Sequence, residues 1–229
     1  GGRVTAPPTR ALLFSLFLSL ATSSLFSWQL PSSLVYREGN TIHRFHILGE
    51  GGGYRIHLES EGSGSKVSQI YTTDALLRTL RWELDSPGEG TRILCERVGD
   101  SLRLKGLYKG EKIEKEMEID SRSWNQLFHL GLMPFVLSGE RETVFWSVGI
   151  NGPGAMKAGK VKATKRSREK ILSLGESVQT LRVEMSLTGL LSLFWKGDYW
   201  YSLSDGLFLR YGKRSGKEGS GAMELIERR

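Results

Sequence analysis

The chain has 229 residues, 32 of them basic and 25 acidic, for a formal charge of +7, and 39% of it is hydrophobic. That is enough chain for one ordinary domain with a full core and too apolar for a disordered tail, and the lone cysteine, Cys95, excludes an internal disulfide. The surplus of positive charge is modest, and with the compartment argued next it gives no reason to expect a nucleic-acid partner.

The first 30 residues read as an export segment. Arg3 and Arg10, with no acids, precede the apolar run Ala11–Leu20. Small residues then stand where a signal peptidase cuts, Ala21-Thr22-Ser23 before Ser24, or Leu25-Phe26-Ser27 before Trp28. The expectation is a cleaved signal and a periplasmic or secreted protein whose single domain spans residues 31–229. The alternative is an inner-membrane anchor, since Ala11–Leu30 carries no charge and a span needs about 20 mostly apolar residues.

Beyond this segment, alternation with period two dominates. Tyr54, Ile56 and Leu58 share one face of their run, and Arg55, His57 and Glu59 share the other. Leu181, Val183, Met185 and Leu187 alternate in the same way, as do Leu102, Leu104 and Tyr108 with Gly106 as a gap, then Ile113, Met117 and Ile119. Such runs are antiparallel strands with one dry face. Glycines punctuate them at Gly49–Gly53, Gly62–Gly64, Gly88–Gly90, Gly99, Gly110, Gly197-Asp198 and Asp205-Gly206, each read as a hairpin turn. The predicted fold is mainly β: an antiparallel meander curled into an open or flattened barrel.

One or two short helices are expected on or in its concave side. Asp120 or Ser121 is a suitable N-cap, Trp124, Leu127, Phe128 and Leu130 follow at helical spacing, and Gly131 and Pro134 are read as the stop. A second short helix is expected around Thr73–Arg78. The stretch Tyr211–Gly221 is read as a loop, and Ala222–Glu227 as a final strand.

Chemistry is sparse. His43 and His46, three apart, fall on opposite faces of a strand, and His46 is expected opposite His57 across the hairpin. With Glu59 they make an incomplete metal site, so no metal or cofactor is expected. Gly49–Gly53 lacks the helix a phosphate loop needs, no Gly-x-Ser-x-Gly occurs, and Cys95 lies in a strand-like run that suits a buried thiol. An enzyme is not expected.

Two features point to binding. Lys157, Lys160, Lys162, Lys165, Arg166, Arg168 and Lys170 face only Glu169 in their stretch. Lys160, Lys162 and Lys165 are candidate contacts to an anionic surface, with a solvated hairpin as the plainer alternative. Aromatic residues crowd Phe194–Tyr211 and surround the expected helix. Trp124, Phe128, Trp146, Met185 and Trp195 are the candidate lining of an apolar concave site for a lipid or a lipidated protein. The alternative is a filled core in a structural protein that docks an envelope partner through its basic hairpin.

From Tyr54 to Glu227 the chain resembles a group of exported bacterial proteins known as a domain of unknown function. The resemblance rests on Tyr71–Asp74, on Asp120–Gly139 with its exit through Leu132-Met-Pro-Phe, on the hairpin Tyr199–Tyr211, and on Met223–Ile226. Many members carry proline before the arginine of that hairpin, where this chain has Leu209 before Arg210. The resemblance implies an open β-barrel like that of periplasmic lipoprotein carriers, a curved sheet over helices and a hydrophobic cavity.

Overall fold

The computed structural model describes residues 28–150, 155–189, 195–212 and 222–229. Nearly all of the expected signal or anchor lies outside the described residues, as does most of the Tyr211–Gly221 loop. Among the described residues, no helix is long and apolar enough to cross a membrane.

Alternating runs become strands where expected: β1 (Ser33–Glu38), β2 (Thr41–Glu50), β3 (Gly53–Gly62), β4 (Ser65–Thr73), β5 (Thr79–Ser86), β6 (Thr91–Val98), β7 (Ser101–Tyr108) and β8 (Glu111–Glu118). The second half supplies β9 (Glu142–Val148), β10 (Ala158–Ser173), β11 (Glu176–Leu187), β12 (Lys196–Ser202), β13 (Phe208–Gly212) and β14 (Met223–Arg228). All fourteen join one sheet in the order β8 to β1, then β14 to β9. The chain therefore starts at the middle, winds out to one edge, crosses to the other edge and winds back. Every pairing joins sequence neighbours except the seam, where β1 meets β14 with Leu34 opposite Arg228 and Glu38 opposite Met223. The Tyr36 hydroxyl ties this region together by donating to the Phe208 carbonyl at 2.8 Å.

The sheet is curved but not closed, an open half-barrel rather than a true barrel. Its dry face carries Leu34, Tyr36, Phe45, Ile56, Trp82, Ile93, Cys95, Leu102, Leu104, Val183 and Met185, all nearly fully buried. Two glycines are dictated by close backbone approach. A Cβ on Gly53 would lie 1.9 Å from the Thr73 oxygen, and one on Gly106, at φ +145°, would lie 2.0 Å from the Arg92 oxygen.

Because successive strands are antiparallel, alternate turns share a rim. The lower rim holds the turns β2–β3, β4–β5, β6–β7, β10–β11 and β12–β13, the entry to β1 and the exit from β14. The upper rim holds β1–β2, β3–β4, β5–β6 and β7–β8.

The crossing segment between β8 and β9 corrects the expected helix. Ser123–Asn125 is extended: Trp146 N–H donates to Ser123 O, Asn125 N–H to Trp146 O, and Thr79 N–H to Trp124 O. With its backbone spent on β9 and β5, the segment cannot also close helical bonds. Helix forms later, as α1 (Phe128–Gly131) and α2 (Met133–Leu137). Pro134 does not stop a helix but sits in the first turn of α2, where no N–H is needed. Both turns lie on the concave side, with Leu130, Leu132, Met133, Phe135 and Val136 buried.

Two smaller expectations are corrected. Thr73–Arg78 is a turn, not a helix: the Asp74 carboxylate accepts from the N–H groups of Leu76 and Arg78, both at 2.9 Å, and Leu77 takes φ +62°. Gly197-Asp198 is not a turn but part of β12, where a missing side chain admits the Tyr211 ring and Asp198 pairs with Arg182 at 3.4 Å.

Candidate binding site at the upper mouth

On a strand, residues two apart share a face, which carries Tyr36 and Glu38 on β1, and His43, Phe45 and Ile47 on β2, to the concave side. Ser60 on β3 stands opposite His43. From the other half, β12 and β13 bring Tyr199, Tyr211 and Phe208, and α1 brings Phe128 and His129. The result is an aromatic cluster toward the upper end of the half-barrel, here called its mouth, with Tyr199 and Phe208 buried at its base.

His129 is its centre. Its ring stacks on Phe128 at 5.2 Å and meets Phe208 edge-on at 4.8 Å, with Phe45 and Tyr199 at 6.2 and 6.4 Å. Its Nδ1 is buried with no hydrogen-bond partner. Burial first, then the neighbouring His43, pushes its pKa down to about 4, with Glu38 pulling weakly the other way. At neutral pH the imidazole is uncharged and serves the mouth as an apolar plate. Tyr199 and Tyr211 pack at 4.7 Å, and burial raises the pKa of both phenols. Phe128 reaches Trp195 at 6.5 Å.

A polar strip runs along one side. His43 Nδ1 and the Ser60 hydroxyl are 2.8 Å apart, and His43 Nε2 lies 3.3 Å from the Glu38 carboxylate but off the hydrogen-bond direction. Hydroxyl, imidazole and carboxylate in a row is the order of a hydrolytic triad. Here Ser60 sits inside a strand paired on both sides, so neighbouring N–H groups are spent in the ladder and none forms an oxyanion hole. The strip thus offers a hydroxyl, an imidazole and a carboxylate side by side on the concave face.

The five candidate lining residues separate. Phe128 and Trp195 meet at the mouth. Trp124 and Met185 are fully buried core, with the Trp124 indole donating to Gln126 Oε1 at 3.1 Å. Trp146 lies on the outer side of β9, donating to Asp120 at 2.8 Å with the Lys160 ammonium 5.0 Å from its ring. Trp124, carried on the crossing segment, and Met185, on β11, are thus enclosed in the packing, and β9 turns Phe145 inward and Trp146 outward.

The three candidate lysines also divide. Lys160 and Lys162 face outward, paired with Asp120 at 3.3 Å and Glu142 at 2.7 Å. Lys165 follows the inward parity of Val161 and Ala163, donates to the Ser138 carbonyl at 2.6 Å and covers the Phe135 ring. Indole, backbone and cation donors hold the Asp120 carboxyl far below the usual carboxylate range.

His46 and His57 do oppose each other, on the outer face, with rings 6.5 Å apart and His57 bonded to Ser68 at 2.9 Å. Among the described residues no three His, Cys, Asp or Glu side chains converge as metal ligands. Two clefts, about 480 and 410 Å³, lie on the outer face, over β4–β7 and over β9–β12.

Sequence reasoning passed over His129 and Glu38. The signal for His129 was its place in the otherwise apolar run Leu127–Leu132, where an ionisable residue either finds a partner or is held neutral. Glu38 gave none, since only strand pairing brings it beside His43.

No protein-family profile matches the sequence, and no curated protein matches it. Two solved structures are matched by the chain. The chain matches a β-barrel-like protein of domain of unknown function DUF1849 from Brucella abortus at TM-score 0.58 and 8% identity, over 89% of this chain and 99% of that one. It matches the hypothetical lipoprotein YmcC from Escherichia coli K12 at TM-score 0.38 and 11% identity, over 86% of each chain. The first likeness is one of fold; the second is too distant to carry an argument.

Proposed function

We propose that this chain is a non-enzymatic envelope protein that takes the apolar part of a lipid, or of a lipidated partner, at the upper mouth of its half-barrel. The observation that carries the reading is the packing of Phe128, His129, Trp195, Tyr199 and Tyr211 over the buried Phe208 into one aromatic cluster, beside a short polar strip at Glu38, His43 and Ser60. Rings supply apolar surface, and the strip gives a headgroup something to bond. The export segment read from the sequence supplies the compartment.

Uptake of a fluorescent fatty acid, with native mass spectrometry of protein purified from the envelope, tests it. Binding that weakens about tenfold in Phe128→Ala and Trp195→Ala, each a loss of one large apolar contact, is the expected result. No uptake and no co-purified lipid would sink the reading.

One observation favours a second reading. Trp124 and Met185 are wholly buried and both clefts lie outside, which suits a filled core that docks an envelope protein through the outer basic face at Lys160 and Lys162. Pull-down of a partner, lost on charge reversal of those two lysines but indifferent to Trp195→Ala, would select it.

A further inference from the structure

The hairpin β10–β11 is far longer than its neighbours require. β9 pairs with β10 only as far as Thr164, and β12 pairs with β11 only from Thr180. Residues 166–179 therefore bond in the sheet mainly to one another, as a two-stranded arm projecting from the lower rim.

The two faces of this arm differ in charge. Glu169, Ile171, Val178 and Thr180 share one face, where Glu169 accepts from Trp200 and pairs with Arg182. Arg168, Lys170, Leu172, Ser177 and Gln179 share the other; all five are exposed, and none is acidic. Neither Arg168 nor Lys170 has an ion-pair partner among the described residues. Past these two cations the tip carries two exposed leucines, Leu172 at 78% and Leu174 at 48%, beside one exposed carboxylate, Glu176.

Leu174 also occupies the left-handed region at φ +51°, ahead of Gly175 at +81°. Tight hairpin turns put asparagine, aspartate or glycine there, because a leucine in that conformation is disfavoured and its side chain points into water. A disfavoured residue held at a projecting tip invites a functional account.

The rest of the rim agrees. Among the described residues, the exposed large hydrophobics Leu48, Leu76, Leu80, Val98 and Leu137 lie near the lower rim with Leu172 and Leu174, and only Leu107 lies away from it. The first described residue, Trp28, also lies there, within the uncharged sequence Ala11–Leu30, and its carbonyl accepts from the Tyr54 hydroxyl.

We propose that the β10–β11 arm docks on the surface of an anionic lipid bilayer, with Leu172 and Leu174 entering the interface and Arg168 and Lys170 meeting the headgroups. Cations placed just behind two exposed leucines match the order of layers at a charged membrane surface. Binding of this kind is independent of whether the upper mouth holds a ligand, since the two sites lie at opposite rims and share no residue.

The test uses the full chain with an environment-sensitive fluorophore on cysteine at Leu174→Cys, and separately at Lys112→Cys near the upper rim as the control. The probe is vesicles of equal parts phosphatidylglycerol and phosphatidylcholine, against vesicles of phosphatidylcholine alone. The expected result is a blue-shifted, brighter signal at position 174 on the anionic vesicles only, quenched by nitroxide lipids, with position 112 silent. Arg168→Glu with Lys170→Glu should weaken the response about tenfold or more. Because attachment through the N-terminal segment would bring either label near lipid, the contrast between the two positions is decisive. No change at 174, an equal change at 112, the same response on neutral vesicles, or a response that survives charge reversal each overturns the proposal. A response at 174 only when a membrane protein is supplied overturns it in favour of a protein partner. Leu172→Ser, exposed and away from the turn, gives a second variant that keeps the fold and should lower the response.

Discussion

The side chain of Gln126 pairs with the backbone of Val148 as if it were another strand. Val148 N–H donates to Gln126 Oε1 at 2.8 Å, and Gln126 Nε2 donates to the Val148 carbonyl at 2.9 Å. The amide thus extends to Val148 the attachment of the crossing segment to β9 that Trp124 and Trp146 begin through their backbones. The same oxygen receives the Trp124 indole, while Gln126 N–H donates to Thr79 Oγ1 at 3.0 Å. One buried glutamine therefore staples the crossing segment to both halves of the sheet.

Gln126→Leu keeps the bulk and removes the partners, leaving the Val148 N–H and carbonyl and the Trp124 indole unpaired away from water. A loss of about 3 kcal/mol is expected. Urea unfolding monitored by tryptophan fluorescence checks it; an unchanged midpoint would refute the staple.

His129 gives the protein an acid-sensitive component. The unfolded residue titrates near 6.5 and the folded one near 4. Between those values the unfolded chain holds a proton that the folded chain refuses, so this stabilisation is present above about pH 6.5, declines as pH falls and is gone below about 4. The change amounts to about 3 kcal/mol, and His129→Phe should abolish it. Between pH 7 and pH 4 the wild type should lose stability that His129→Phe keeps, so the two unfolding free energies should separate as the pH drops; parallel curves would count against a neutral buried imidazole.

Gly106 tolerates no side chain. Its φ of +145° is open only to glycine, and the added carbon of Gly106→Ala would meet the Arg92 oxygen. A loss of at least about 3 kcal/mol is expected. Thermal melting checks it, with Gly139→Ala, where a Cβ meets nothing within 4 Å, as the comparison.

Cys95 is fully buried, and burial first, then Glu96, pushes its thiol up to about 12. Native protein should resist maleimide at neutral pH and label fully in denaturant, as read by intact mass. Rapid labelling of the folded chain would place the thiol elsewhere than in the core.

Much of the fold could be read from period two alone. Tyr54, Ile56 and Leu58, and Leu181, Val183 and Met185, each alternate with polar residues, so their inward face follows from the pleat. The crossing segment could not be read this way. Trp124, Leu127 and Phe128 have helical spacing, but Ser123–Asn125 finds β9 and Thr79 as long-range partners, and those bonds override local preference. The mouth was half legible. Phe128, Trp195, Tyr199 and Tyr211 stood out as aromatic residues, whereas which tryptophan faces inward depends on the register of β9, and the company of His43 and Glu38 depends on the register of β1 with β2. Composition carries neither.

The seam between β1 and β14 bears on the order in which such a chain assembles. Each half of the sheet can zip up from hairpins between sequence neighbours, but the two halves are joined edge to edge only when β14 arrives beside β1, nearly two hundred residues away. Closing so long a loop is slow compared with forming a hairpin. Until then β1 offers a bare edge. A version lacking Met223–Arg228 should therefore stall as two loosely held halves, with amide exchange fast along β1 and β13 but slow at the β6–β7 pairing. Uniform protection in that version would show that the halves lock without their seam.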